Sequence, residues 1–240
     1  MNLTQKQRKL ITSLQQKKYR NQHKLFVAEG IKVIQEFLDS SFELDQLFVT
    51  TKNTFSSYNP TLISENELKR VSSLKSPNKA LGLFKIPVQE EVDAKGLILA
   101  LDSINDPGNL GTIIRLCDWF GIETLLCSYD TVDCYNTKVV QSSMGSLTRV
   151  KIHYTDLVSE IDKMNLPVFI ADMDGENVYT SQLPKDGILV MGNEANGISD
   201  EIKKMTNEVL SIPRFGNLQQ TESLNVATAT AILLSEFRRF

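Results

Sequence analysis

The stretch Leu97-Ile-Leu-Ala-Leu-Asp102, followed by Ser-Ile-Asn105-Asp-Pro-Gly-Asn109-Leu-Gly-Thr-Ile-Ile-Arg115, decides the fold. An apolar run without polar alternation, ended by a single acid, reads as a strand buried on both faces, the kind found in parallel sheets. Pro107 and Gly108 make a turn, Asn109 is placed as a helix cap, and residues 109–120 form an amphipathic helix closed by Gly121. Working outward, residues 123–127, 167–172 and 187–191 give further strands with helices between them. From Gly96 onward the chain reads as α/β with a mainly parallel sheet.

Upstream the pieces are shorter. Residues 30–38 (GIKVIQEFL) carry a helical apolar stripe, residues 44–49 read as a short strand, and residues 53–60 as a polar loop. Ser64 and Glu67 are spaced as a capping box at the start of a second helix over 64–71, and residues 80–86 form a strand. Residues 87–95 are polar, acidic and begin with Pro87, which marks a domain boundary. The expected division is a small domain over 1–90 and a larger one over 96–240.

The chain has 240 residues, of which 41% are hydrophobic, enough for a sizeable core. No apolar run approaches the roughly 18 to 20 residues of a membrane span, and the basic, polar start contains no signal-peptide core. The expectation is a cytoplasmic protein. Cys117, Cys127 and Cys134 form no CxxC pair, and with only His23 and His153 there is no HExxH site, so no metal is expected. The net charge of −3 hides an asymmetry. Residues 1–24 contain Lys6, Arg8, Lys9, Lys17, Lys18, Arg20 and Lys24 and no acid, so +7 sits on a remainder of −10. Such a split is a footprint of phosphate binding, and equally of a solvated basic helix.

Ligands in parallel α/β sheets bind beyond the C-terminal ends of the strands. Three polar, Gly-containing segments occupy such places. In the first, Arg115 stands among Ile113, Ile114, Leu116 and Cys117, where a guanidinium needs a partner. A structural ion pair explains it as readily as a ligand does. Gly108-Asn-Leu-Gly111 also has the GXXG form of KH domains, but the apolar strand before it argues against that fold. The second segment, Gly192-Asn-Glu194-Ala-Asn-Gly197-Ile-Ser, has Walker-like glycines without the Lys that a phosphate loop requires. What remains is a loop whose glycines let backbone approach a ligand while Glu194 offers a carboxylate. In the third, Ile212-Pro213 leads through residues 217–222 to Ser223-Leu224-Asn225-Val226, where Ser223 is placed to cap the last helix and Asn225 lies in its first turn. Asp172-Met-Asp174-Gly175 lacks the glycine spacing of an EF-hand and reads as a turn.

In this order and at these separations, the three segments resemble the SpoU-type ribose 2′-O-methyltransferases of the SPOUT superfamily. Asn109 and Arg115 match the family's first motif, Gly192, Glu194 and Gly197 the second, and Ile212-Pro213 with Ser223-Leu224-Asn225-Val226 the third. The resemblance covers residues 96–240 with high specificity. More weakly it extends to the N-terminal third, which looks like the family's small α/β RNA-binding domain. It implies a parallel sheet whose last part is threaded into a deep trefoil knot, a homodimer, and S-adenosyl-L-methionine held at positions matching Met191, Gly192, Ile212 and Leu224. Between Pro213 and Ser223 the connection is longer than is usual in the family.

The chemistry implied is transfer of an activated methyl group to a ribose hydroxyl, which must be held in line and relieved of a proton. By the resemblance Arg115 is the central residue. Arginine is a poor base, so it either loses its proton transiently with help from a substrate phosphate or anchors that phosphate and stabilises the developing alkoxide. Asn109, Ser223 and Asn225 would orient it and the ribose, and Glu194 would order the cofactor loop or pair across the site. The expected activity is therefore an RNA ribose 2′-O-methyltransferase, acting on ribosomal RNA in preference to tRNA because of the additional N-terminal domain. Two competing readings are a non-catalytic RNA-binding or ribosome-assembly factor with the same fold, and an α/β nucleotide-binding enzyme of another kind. Methyl transfer to RNA separates the first from an enzyme, and the second lacks any phosphate-loop motif.

Overall fold

A computed structural model of the chain describes residues 3–216 and 223–239. The elements in chain order are α1 Gln5–Ser13, α2 Lys17–His23, β1 Leu25–Glu29, α3 Ile31–Leu38, β2 Leu44–Val49, β3 Thr61–Leu62, α4 Glu65–Val71, β4 Ala80–Lys85, β5 Leu97–Asp102, α5 Pro107–Phe120, β6 Thr124–Ser128, α6 Thr137–Ser143, β7 Lys151–Thr155, α7 Leu157–Met164, β8 Val168–Asn177, β9 Gly187–Gly192, α8 Asp200–Lys203, β10 Glu208–Ser211 and α9 Val226–Phe237.

Two compact units emerge. One comprises residues 1–89 together with 133–148, the other residues 90–132 together with 149–240. The first cut falls within the polar stretch 87–95. The return of residues 133–148 to the first unit has no counterpart in a simple division of the chain at 90–96.

The first unit is a four-stranded sheet in the order β1-β4-β2-β3, antiparallel except for the β2–β3 pair. Residues 3–24 do not form a free arm. They build α1 and α2, and Leu3, Ile11 and Leu14 are buried in the same core as Leu25, Phe48, Leu68 and Leu81. The capping box at α4 is formed, with Ser64 and Glu67 bonding reciprocally. The returning segment belongs to this core by chemistry as well as by position. Asp133 Oδ2 accepts from both Nε and Nη2 of Arg20, at 2.8 and 2.5 Å, and the Tyr135 ring lies 4.8 Å from that of Phe26.

The second unit is a six-stranded sheet in the order β10-β8-β9-β5-β6-β7, parallel throughout. β5 lies at its middle and is buried at all six positions, which is why its sequence carries no alternation. α9 packs on α5 and β9. One strand is irregular. β10 pairs with β8 through Val209 and Ile170, then resumes at Leu210 opposite Glu176, so residues 171–175 of β8 swing out of register. The stretch read as a turn around Asp174 is this excursion, extended within the strand rather than a separate turn.

Candidate active site

The C-terminal ends of β5 and β9 deliver the first two motifs side by side, because the two strands pair from Leu97 opposite Gly187 to Asp102 opposite Gly192. Beyond β5 the helix α5 begins at Pro107, two residues before the expected start at Asn109. Asp106, not Asn109, is the cap: its Oδ1 accepts the Asn109 N–H at 2.8 Å, with Pro107 in the first turn. That arrangement frees the Asn109 side chain. At α9 the cap is likewise displaced. Asn225, not Ser223, holds this position, and its Oδ1 accepts the N–H groups of Ala227 and Thr228 at 3.0 and 3.3 Å. Ser223 is exposed two residues before the cap.

The freed side chains converge on Glu194. Its Oε1 accepts from Asn109 Nδ2 at 3.0 Å, from Asn225 Nδ2 at 3.1 Å and from the Val226 N–H at 3.2 Å. Asn225 Nδ2 also donates to Asn109 Oδ1 at 2.9 Å. A carboxylate beside the first turn of a 12-residue helix is favoured by the orphan N–H groups there. The loop that carries Glu194 turns back on itself through an Asn193–Gly197 bridge. Gly197 is favoured by its φ of +68°, and Gly192 by close approach, since a Cβ there would lie 2.5 Å from the Gly197 backbone.

Beside this cluster lies a cavity of about 980 Å³. Met191, Gly192, Ile212 and Leu224, the four expected cofactor positions, all line it, as do Glu194 and Ser223. The swung-out part of β8 contributes Ala171, Asp172 and Met173, which the sequence reading missed. Its only signal was the break in apolar character after residue 171.

Arg115 departs from expectation. It is exposed on α5, while Leu110, Ile113, Ile114 and Cys117 occupy the buried face. Among the described residues it has no hydrogen-bond or ion-pair partner, so the buried ion pair weighed for it does not form. Trp119, one turn further along the same helix, is 83% exposed. Residues 217–222, within the longer connection before Ser223, lie outside the described residues.

Of the seven basic residues near the start, Lys6, Lys9, Lys17, Lys18 and Lys24 are exposed. Arg8 is half-buried and lies 3.6 Å from the Glu67 carboxylate. Arg20 is a correction. It is 2% exposed and spends its guanidinium on Asp133 and the carbonyls of Leu14 and Gln15, leaving nothing for a phosphate. No helix among the described residues is long and apolar enough to cross a membrane, and no group of three or more His, Cys, Asp or Glu is gathered there for a metal ion.

Residues 96–235, which contain the whole cluster and the cavity, match the SpoU rRNA Methylase family. The chain belongs to that family. Outside this SpoU region, residues 6–82 match the MRM3-like substrate binding domain. A curated relative, the 23S rRNA (guanosine(2553)-2′-O)-methyltransferase RlmP of Bacillus subtilis, is 28% identical over 241 residues, covering 94% of this chain and 93% of its own. A solved TrmH-family structure from Porphyromonas gingivalis superposes with a TM-score of 0.89 at 35% identity, covering 100% of this chain and 99% of that one. An AdoMet-bound rRNA methyltransferase from Sinorhizobium meliloti superposes with a TM-score of 0.88 at 27% identity, covering 100% and 96%.

Proposed function

We propose that this SpoU-family chain transfers the methyl group of S-adenosyl-L-methionine to a ribose 2′-OH of ribosomal RNA. The observation that carries this reading is the convergence of Asn109 and Asn225, from helices far apart in sequence, on Glu194 at the edge of the cavity. The residues fit the donor. Met191, Leu210, Ile212, Leu224 and Leu233 give apolar walls for a purine and the methionine chain, Gly192 joins the cavity lining, and the size is that of a cofactor site. When bound, S-adenosyl-L-methionine supplies a methyl group already activated by its sulfonium.

The chain's own residues then have distinct tasks. Met191, Gly192, Ile212 and Leu224 would hold the donor. Glu194 gathers Asn109, Asn225 and the first N–H of α9 into one rigid set, which orients the ribose together with Ser223. Arg115, exposed and without a polar partner among the described residues, anchors a backbone phosphate and stabilises the alkoxide as the hydroxyl passes its proton to solvent water, a role that suits a planar, permanently charged fork better than proton abstraction does. Lys6, Lys9, Lys17, Lys18 and Lys24 contact the RNA backbone, with Arg8 contributing from its half-buried position.

Ribosomal RNA is favoured as the substrate by the N-terminal match to a substrate binding domain and by the named activity of the Bacillus relative. A cytoplasmic location fits that substrate. The trefoil knot rests on the family resemblance, and the sheet order is compatible with it: β10 pairs with β8 at one edge while α9 packs on α5 and β9. The homodimer rests on the family resemblance, and the exposed Trp119 on α5 suits a buried contact.

The test is transfer of a labelled methyl group to undermodified ribosomal RNA and to tRNA, with mapping of the labelled nucleotide. Label at a 2′-oxygen of ribosomal RNA is expected. Label in tRNA alone rejects the ribosomal substrate, and donor binding without transfer to either RNA rejects the enzyme.

A further inference from the structure

The loop that carries Glu194 is braced to the end of β5 at two points, neither of which touches the reacting cluster. At its start, Asn193 Nδ2 donates to the Ser103 carbonyl at 2.7 Å. Just past its end, the Ser199 N–H donates to Asp102 Oδ2 at 2.8 Å. Asp102 is 7% exposed, and Ser103 Oγ donates to its other oxygen at 3.3 Å. Ser103 itself is held at φ +60°, an uncommon backbone state for a residue with a side chain, and its N–H is tied to Ser128 Oγ at 2.9 Å. The receiving end of the brace is therefore fixed.

Asn193 is wholly committed to this work. Its Oδ1 accepts the N–H groups of Ala195 and Asn196 at 2.8 and 3.3 Å. Its backbone N–H donates to the Gly197 carbonyl at 3.0 Å and its carbonyl accepts from the Gly197 N–H at 2.8 Å. Glu194 next to it is exposed, and its three donors come from α5 and α9 rather than from its own loop. Where that carboxylate meets these donors is set by the loop backbone that carries it.

Resting on the methyl-transfer reading above, we infer that Asn193, with Asp102, is a positioning residue that fixes Glu194 Oε1 and, through it, the Asn109–Asn225 pair. Supporting hydrogen bonds of this kind hold reacting groups within a fraction of an ångström, and displacement by about 1 Å is enough to cost about 100-fold in rate.

The experiment compares wild type, Asn193→Asp, Glu194→Ala and the double variant. Aspartate keeps the acceptor for Ala195 and Asn196 but sets a carboxylate against the Ser103 carbonyl. Asn193→Asp is expected to lower kcat about 10- to 100-fold, and to add no further loss in the Glu194→Ala background because it acts through that residue. Equal losses in the two backgrounds, or an unchanged kcat, overturn the inference. In the protein without donor, amide exchange at Gly197 and Ser199 is expected to speed up in Asn193→Asp, and unchanged protection also overturns it. This second readout needs no turnover, so a wild type that methylates no RNA removes the proposed function while the brace is still judged. If Asn193→Asp fails to fold, Asn193→Ser takes its place, since serine can accept within the loop but is too short to reach Ser103.

Discussion

Asn225 Nδ2 lies 2.9 Å from Asn109 Oδ1, joining residues 116 positions apart, while Asn225 Oδ1 caps α9. One amide thus starts a helix with its oxygen and ties two motifs together with its nitrogen. Asn225→Asp separates these tasks. The cap acceptor survives, so thermal unfolding should stay close to wild type, but a carboxylate now faces Glu194 and Asn109 Oδ1. Methyl transfer is expected to fall about 100-fold or more. Asn225→Ala should show the same loss and in addition cost about 1 kcal/mol through the missing cap. Turnover and urea unfolding, measured on both variants, check the separation.

Arg115 makes no hydrogen bond or ion pair among the described residues that its removal would break. Arg115→Ala should leave melting temperature and donor affinity near wild type and abolish turnover. Arg115→Lys keeps the charge without the fork and should recover only part of it. Full turnover in Arg115→Ala would remove the residue from the mechanism.

Salt dependence tests the basic surface of α1 and α2. Replacing Lys6, Lys9, Lys17 and Lys18 together by Glu should weaken RNA binding and flatten the slope of log affinity against log salt by about 3. Arg20→Gln should instead act on stability, since Arg20 is buried. An unchanged slope in the lysine variant would show those residues to be merely solvated.

The pair Arg20–Asp133 is buried at the arginine and nearly so at the aspartate, with side-chain exposures of 2% and 12%. Asp133→Ala strands a guanidinium with backbone carbonyls alone and should destabilise the protein by about 3 to 5 kcal/mol. Arg20→Met with Asp133→Leu should recover most of that. Urea unfolding of the three proteins measures it.

His153 is buried in β7, and burial, reinforced by Lys151, pushes its pKa below the ordinary histidine value. Below about pH 6.5 the unfolded chain takes up a proton that the native state resists, so stability should fall as the pH drops from about 7 to about 5.5. Asp156, whose pKa is lowered by hydrogen bonds from Ser159, changes state only below this window. His153→Leu should flatten the decline. An equal slope in variant and wild type would place the titrating group elsewhere.

Of the second unit's strands, β5, β6, β8 and β9 were legible, as was α5, because burial of β5 and the apolar stripe of α5 leave direct traces in sequence, whereas the short edge strands β7 and β10 were not read. The caps were not. Ser223 and Asn225 are both good N-cap residues two positions apart, and only the path of the chain past Glu194 selects between them. The same holds for Asp106 and Asn109. The contribution of residues 171–173 to the cavity depends on a register jump against β10, a pairing that no local pattern records. The exposure of Arg115 was not legible for a related reason: its apolar neighbours Ile113, Ile114 and Cys117 lie on the buried face of the helix while Arg115 does not. Arg20 looked like its six basic companions, and only the fold brings Asp133 to it.

Residues 133–148 complete the first unit from the middle of the second. During synthesis, β1 therefore has no α6 against it, and Arg20 no carboxylate, until β5, α5 and β6 have all been made. The first core cannot close in the order in which it is translated. Its final packing must wait for roughly 60% of the chain, so the two units are coupled in time on the ribosome, and a nascent chain arrested after residue 89 should remain open to proteases and chaperones.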